Sequence, residues 1–308
     1  MYLPKVSALI PCFNTRTCIV QAIDSALSQV GHSVEAVVVD DGSSDGTPDL
    51  VDATYGDDER VQLIRLPHNR GPSAARNAGI SAARGEWIGL LDSDDLWLPN
   101  RLEVLLRHEA TADFIADNLM GFDAAAEIET GPIYTGLEDR QLTLLDFIKP
   151  SAPDAHDFGY LQPLIRSKFI DQHRIRYNED VRAGEDLLLN LEILASGGRA
   201  FYINDALYIY ALPVGAVSRS ASPNSRSTAD TKPLIRALEK FLDDFEHSLG
   251  PRDQIAFDLR LANLKAQAPI GVFHRARASG RYLEMCQLFL REQTVRQKIW
   301  QRLFCRFP

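Results

Sequence analysis

The chain has 308 residues, 45% hydrophobic and 24% charged, enough to bury the core of one large domain or of one domain with an appendage. Those proportions exclude disordered, collagen-like and membrane-bundle chains. A net charge of −9, from 33 basic against 42 acidic residues, speaks against nucleic acid as a partner, because phosphate backbones are held by basic patches.

In chain order, Val6–Ile10 reads as a buried strand closed by Pro11, and Thr17–Gln29 carries Ile19, Ile23, Ala26 and Leu27 at helical spacing. Glu35–Val39 is a second buried strand, and Asp45 suits the N-cap of a helix over Thr47–Ala53. Val61–Leu66 is a third strand, followed by an alanine-rich helix over Pro72–Ala83 that Gly85 stops. Trp87–Leu91 is a fourth strand and Pro99–Glu109 a fourth helix. This alternation predicts βαβ units and a mostly parallel sheet flanked by helices. Farther on, Gly159–Ile165, Arg199–Ile203 and Leu207–Ala211 are candidate strands, with a helix over Asp186–Ser196. Val214–Ser227 is rich in Ser, Gly and Pro and reads as a surface loop. From Thr228 the pattern is helical, with breaks expected at Gly250-Pro251, Pro269 and Gly280. The expected division is therefore residues 1–227, a nucleotide-binding α/β domain, and 228–308, a helical region.

Cys12, Cys18, Cys286 and Cys305 form no CxxC pair, so a reducing compartment is expected. The five apolar residues before Pro11 are too few for a signal peptide, and no apolar run reaches the ~18 residues of a membrane span. The expected location is the cytoplasm.

Ligands of parallel α/β sheets bind at the carboxyl ends of the strands. Three polar clusters fall there: Cys12-Phe13-Asn14, Asp40-Asp41 and Asp92-Ser93-Asp94-Asp95. Carboxylates so closely spaced repel unless a cation offsets them, and Mg²⁺ or Mn²⁺ takes one or two carboxylates plus substrate phosphates. A solvated acidic turn leading into the next helix is the other use of the same residues. Asp41 can accept from a base or ribose, or belong to a turn with a helix cap. No GxGxxG follows the first strand, which leaves a dinucleotide site without support. Arg76 can neutralise phosphate or an acidic strand end, while the alanines around it serve packing. Glu185 and Asp186 open a helix, where acids suit the macrodipole and can also act as a general base.

Taken together, VSALIPCFN, SALSQ, VVVDDGSSDGT, NRGPSAARNAGISAARGEW, LLDSDD and GED, in that order from Lys5 to Ala211, resemble the family 2 glycosyltransferases. The first half is most similar to bacterial exopolysaccharide glucosyltransferases of the succinoglycan type. The resemblance implies the GT-A (Rossmann-like) fold and a role for each matching position. Pro11 and Phe13 would line the uracil pocket with Asn14 beside them, and Asp41 would bond the base. Arg76 would support the nucleotide pocket, Asp92 would contact ribose with Ser93 next to it, and Asp94 would ligate the Mn²⁺ or Mg²⁺ that bridges the diphosphate. Asp186 would be the catalytic base and Glu185 would hold acceptor. The QxxRW motif and membrane spans of processive members are missing, which implies a non-processive enzyme.

The implied reaction is a single displacement from a UDP-sugar to a hydroxyl of a glycan or lipid-linked oligosaccharide, giving a β-glycoside from an α-linked donor. A sugar nucleotidyltransferase, or a silent sugar- or lipid-binding protein on the same fold, is the rival reading. In the basic tail, Val295, Ile299, Leu303 and Phe307 recur at four-residue spacing beside Arg296, Lys298, Arg302 and Arg306. Such a helix either lies on an anionic membrane at its inner face or packs on the domain.

Overall fold

A computed structural model describes residues 3–148, 156–212 and 230–304. They form two compact units, one of residues 3–148, 156–179 and 186–212 and one of residues 180–185 and 230–304. The expected loop Val214–Ser227 lies outside the described residues.

In the first unit β1 (Val6–Cys12), α1 (Ile19–Leu27), β2 (Val34–Asp40), α2 (Thr47–Tyr55), β3 (Val61–Arg65), α3 (Pro72–Ala82) and β4 (Trp87–Leu90) alternate as the hydrophobic pattern predicts. All of β2 is buried, as the continuous apolar run of a strand covered on both faces requires. β1 continues one residue past Pro11, to Cys12. Its pairing with β4 ends at Leu9↔Leu90, so the N–H that Pro11 lacks is not needed on that side.

Next come β5 (Leu96–Trp97), α4 (Arg101–Leu105), β6 (Phe114–Asp123), β7 (Ile128–Pro132), β8 (Arg140–Leu142) and α5 (Leu144–Ile148). They are followed by β9 (Leu164–Arg166), α6 (Ser167–Gln172), α7 (Glu185–Ala195) and β10 (Ala200–Leu212). The sheet runs β3-β2-β1-β4-β9-β6-β10-β5, with β7 on β6 and β8 on β10. Pairing is parallel across β3-β2-β1-β4, antiparallel on both sides of β9, and parallel again between β6 and β10.

Several sequence expectations change here. The helix expected over Pro99–Glu109 starts later and is shorter, because the Arg101 N–H turns back to the Leu98 carbonyl and the last residues tighten into a 3₁₀ turn. Gly159–Ile165 is not one strand. Asp157 accepts the Gly159 N–H and draws Phe158–Tyr160 into a 3₁₀ turn, leaving only β9. The strands expected over Arg199–Ile203 and Leu207–Ala211 are one, β10, with pairing irregularities around Ala206.

The second unit holds α8 (Lys232–Asp244), α9 (Pro251–Ala278), α10 (Tyr282–Arg291) and α11 (Gln293–Phe304). Pro251 starts α9 as expected, but Pro269 does not end it. The helix runs through, giving up only the bond that Pro269 cannot donate to the Lys265 carbonyl. No helix among the described residues is long and apolar enough to cross a membrane.

Candidate active site

Because β1, β2 and β4 are parallel, their carboxyl ends share one edge. Asn14 leaves β1 with φ of 54°, a left-handed conformation that asparagine tolerates. Its N–H donates to Ser43 Oγ at 2.8 Å, and its Oδ1 accepts the Ser44 N–H at 2.8 Å. Asn14 thus braces the loop after β1 against the loop after β2. Pro11 and Phe13 on the same stretch stay half-buried.

Asp41 is buried, and its two oxygens accept the backbone N–H groups of Arg70 at 2.7 Å and Gly71 at 2.8 Å. The carboxylate therefore holds the entry to α3. Gly42 permits this approach: its φ is +76°, and a Cβ there would meet the His68 carbonyl carbon at 2.8 Å. Asp45 accepts the Thr47 N–H at 2.9 Å, while the residue in the N-cap position of α2 is Gly46.

Two residues beyond β4, Asp92 receives Arg76 Nη2 at 3.0 Å and Gln162 Nε2 at 3.1 Å. Arg76, only 5% exposed on α3, also pairs through Nη1 with Asp186 at 3.4 Å and lies over the Tyr177 ring. One guanidinium therefore joins the strand-end carboxylate to the expected base and offsets their repulsion. The neighbouring Asn77 forms a two-way bridge with Tyr177, donating to its carbonyl and accepting its N–H, both at 2.9 Å. Of the two acids that open α7, Glu185 is buried, whereas the Asp186 side chain keeps 22% exposure.

Ser93 is buried in the turn. Asp95 is tied inward by Tyr208, whose hydroxyl donates to it at 2.7 Å, and by the Ala211 N–H at 2.8 Å. The same hydroxyl accepts the Asp92 N–H at 3.0 Å. Burial, with the nearby acids, pushes the Asp95 carboxyl and the Tyr208 phenol well above their usual ranges. Beneath them Arg101 pairs with Asp117 at 2.7 Å, both fully buried, and packs on the faces of Trp97 and Tyr208.

Asp94 is different. It is half-buried, is hydrogen-bonded only through its own backbone N–H, and pairs with no cation among the described residues. Burial, then the charge of Asp92, pushes its carboxyl up to about 6. No group of three or more His, Cys, Asp or Glu among the described residues forms a metal cage. A lone, uncompensated carboxylate fits a hard divalent ion that takes its remaining ligands from phosphate and water, and does not fit a closed structural site.

A family model, glycosyl transferase family 2, matches residues 7–157. The chain is 41% identical over 294 residues to the succinoglycan biosynthesis protein ExoO of Rhizobium meliloti (strain 1021), covering 89% of this chain and 82% of that protein. The chain belongs to glycosyltransferase family 2. The succinoglycan biosynthesis protein ExoU of the same organism is 33% identical over 276 residues, or 82% of this chain and 80% of that one. The crystal structure of S. aureus TarS 1-349 in complex with UDP-GlcNAc superposes with a TM-score of 0.62 at 18% identity, covering 96% of this chain and 92% of that one. That match shows the GT-A fold of this family 2 glycosyltransferase.

Gln162, Tyr208 and Asn77 were not singled out from the sequence. Each is an ordinary polar residue until the fold places it against Asp92, Asp95 or Tyr177.

Proposed function

We propose that this glycosyltransferase moves a hexose, glucose in the first instance, from a UDP-sugar to a hydroxyl of a glycan or lipid-linked oligosaccharide in bacterial surface or exopolysaccharide synthesis. It acts non-processively, with inversion. The pathway follows the names of ExoO and ExoU. The donor class follows the motif resemblance and the TarS structures, which hold UDP and UDP-GlcNAc.

The observation that carries the reading is Arg76 spanning Asp92 and Asp186, which brings a donor-side carboxylate and a partly exposed base to one guanidinium. Asp186 takes the proton of the acceptor hydroxyl, whose oxygen forms a bond to the anomeric carbon as the bond to UDP breaks. One base and no protein nucleophile suffice, so an α-linked donor gives a β-glycoside and free UDP. Asp94 would hold Mn²⁺ or Mg²⁺, and the ion would offset the charge developing on the leaving diphosphate. Glu185 would help hold acceptor, and Pro11, Phe13, Asn14 and Asp41 would frame the base.

A thermal melt tests the donor site. UDP with Mn²⁺ raises the melting temperature of the wild type by mass action, and Asp94→Asn folds but loses the metal-dependent part of that rise. A variant that keeps the full metal-dependent rise contradicts the assignment of Asp94.

The helical unit would add a peripheral contact with an anionic membrane. From Arg252 to Arg302 it carries ten basic and four acidic residues, against a net −9 for the chain. Tyr282, Leu283 and Leu290 on α10 and Trp300 on α11 are exposed.

A further inference from the structure

Gln162 lies between the Phe158–Tyr160 turn and β9 and is 5% exposed. Its Nε2 donates to Asp92 Oδ2 at 3.1 Å. An ionised carboxylate only accepts hydrogen bonds, so it can face only the NH₂ end of the amide, and this contact fixes which end is which. The backbone carbonyl of Gln162 is held as well, by Arg101, which is itself locked to Asp117. Side chain and main chain are thus anchored from opposite sides.

The other end of the amide is not anchored. Gln162 Oε1 is buried and has no hydrogen-bond partner among the described residues. Buried carbonyl oxygens nearly always meet a donor, and one that does not calls for a ligand or water to complete it. Asp92 and Gln162 together present a carboxylate and an amide oxygen as adjacent acceptors. A vicinal diol, with two neighbouring hydroxyl donors, matches such a pair of acceptors.

We propose that Gln162 Oε1 accepts a hydrogen bond from a hydroxyl of the bound nucleotide sugar, acting with Asp92 on one vicinal diol. This rests on the reading of the site as a UDP-sugar site and adds a specificity residue to it. The diol belongs either to ribose or to the transferred sugar, and a site built around a hydroxyl discriminates against analogues that lack it.

Calorimetry in Mn²⁺ on wild type and Gln162→Met, with UDP, 2′-deoxy-UDP, 3′-deoxy-UDP and UDP-glucose, tests this. If the diol is ribose, the substitution weakens UDP about tenfold, as loss of one uncharged hydrogen bond allows, and leaves one deoxy analogue unaffected. If it is the sugar diol, UDP binds both proteins alike and only UDP-glucose is weakened. A folded variant that binds all four ligands like wild type overturns the proposal, as does one that loses parent and deoxy ligands equally. A crystal structure of the wild-type complex with UDP-glucose gives the answer even if the variant does not fold. A ligand hydroxyl within about 3.2 Å of Oε1 is expected, and a water in its place overturns the proposal. Wild type that binds neither UDP nor UDP-glucose contradicts the donor assignment itself, a different result from loss of the Gln162 effect alone.

Discussion

Asp95 is fastened by Tyr208 and Ala211, whereas Asp94 has only its own backbone N–H. The sequence shows both as one acidic run. Only the positions of β4 and β10 reveal that the second acid anchors the turn and leaves the first available. Asp41 is a similar case: it was legible as a polar strand end, but its hold on the start of α3 depends on residues 29 and 30 positions away. The state of Asp94 gives a test without substrate. Its folded pKa is raised to about 6, so the protonated form favours the fold, and that stabilisation is lost as pH rises from about 4 through 6. Metal-free Asp94→Asn is therefore expected to melt above wild type at pH 7.5, with the gap closing toward pH 4. A gap that is absent at pH 7.5, or that widens in acid, contradicts an uncompensated Asp94.

At the scale of elements, the first four strands and three helices were legible because their apolar runs and 3.6-residue stripes coincide with simple turn signals. β6 was not. Asp117 and Asn118 interrupt FIADNLMGFD, and both are buried polar residues whose partners, Arg101 and the Tyr134 backbone, are distant in sequence. The small residues of α3 have a packing role, most sharply at Gly79. A Cβ there would sit 1.9 Å from Leu9 Cδ1 on β1 and 3.2 Å from Val39 Cγ2 on β2. Gly79→Ala is expected to destabilise the protein by about 1–3 kcal/mol in urea unfolding, the usual cost of overpacking. Because the same helix carries Arg76, transfer is expected to weaken as well. A variant as stable as wild type contradicts this close packing of α3 on β1 and β2.

Across the whole molecule, the alternating α/β pattern and the helical end were legible, while the sequence leaves the tail open between membrane contact and packing on the protein. Val295, on the stripe for which both uses were expected, is buried, as packing requires, and Arg296 donates to the carbonyls of Phe289 and Leu290 at the end of α10. Arg306 and Phe307 lie outside the described residues. The proposed membrane contact thus rests on the exposed residues of α10 and Trp300 with the surrounding charge. Full-length protein is expected to sediment with anionic liposomes at low salt and to be released at high salt. Failure to sediment at low salt contradicts that contact. The central claim concerns Asp186, which one arginine links to Asp92. Its most direct test is the release of UDP from UDP-glucose in Mn²⁺, with water as acceptor, measured beside the dissociation constant of UDP for wild type and Asp186→Asn. The expected result is unchanged UDP affinity with release slowed at least ~10²-fold, the low end for loss of a general base. Release at the wild-type rate, or a greater loss in Glu185→Gln than in Asp186→Asn, would contradict Asp186 as the base.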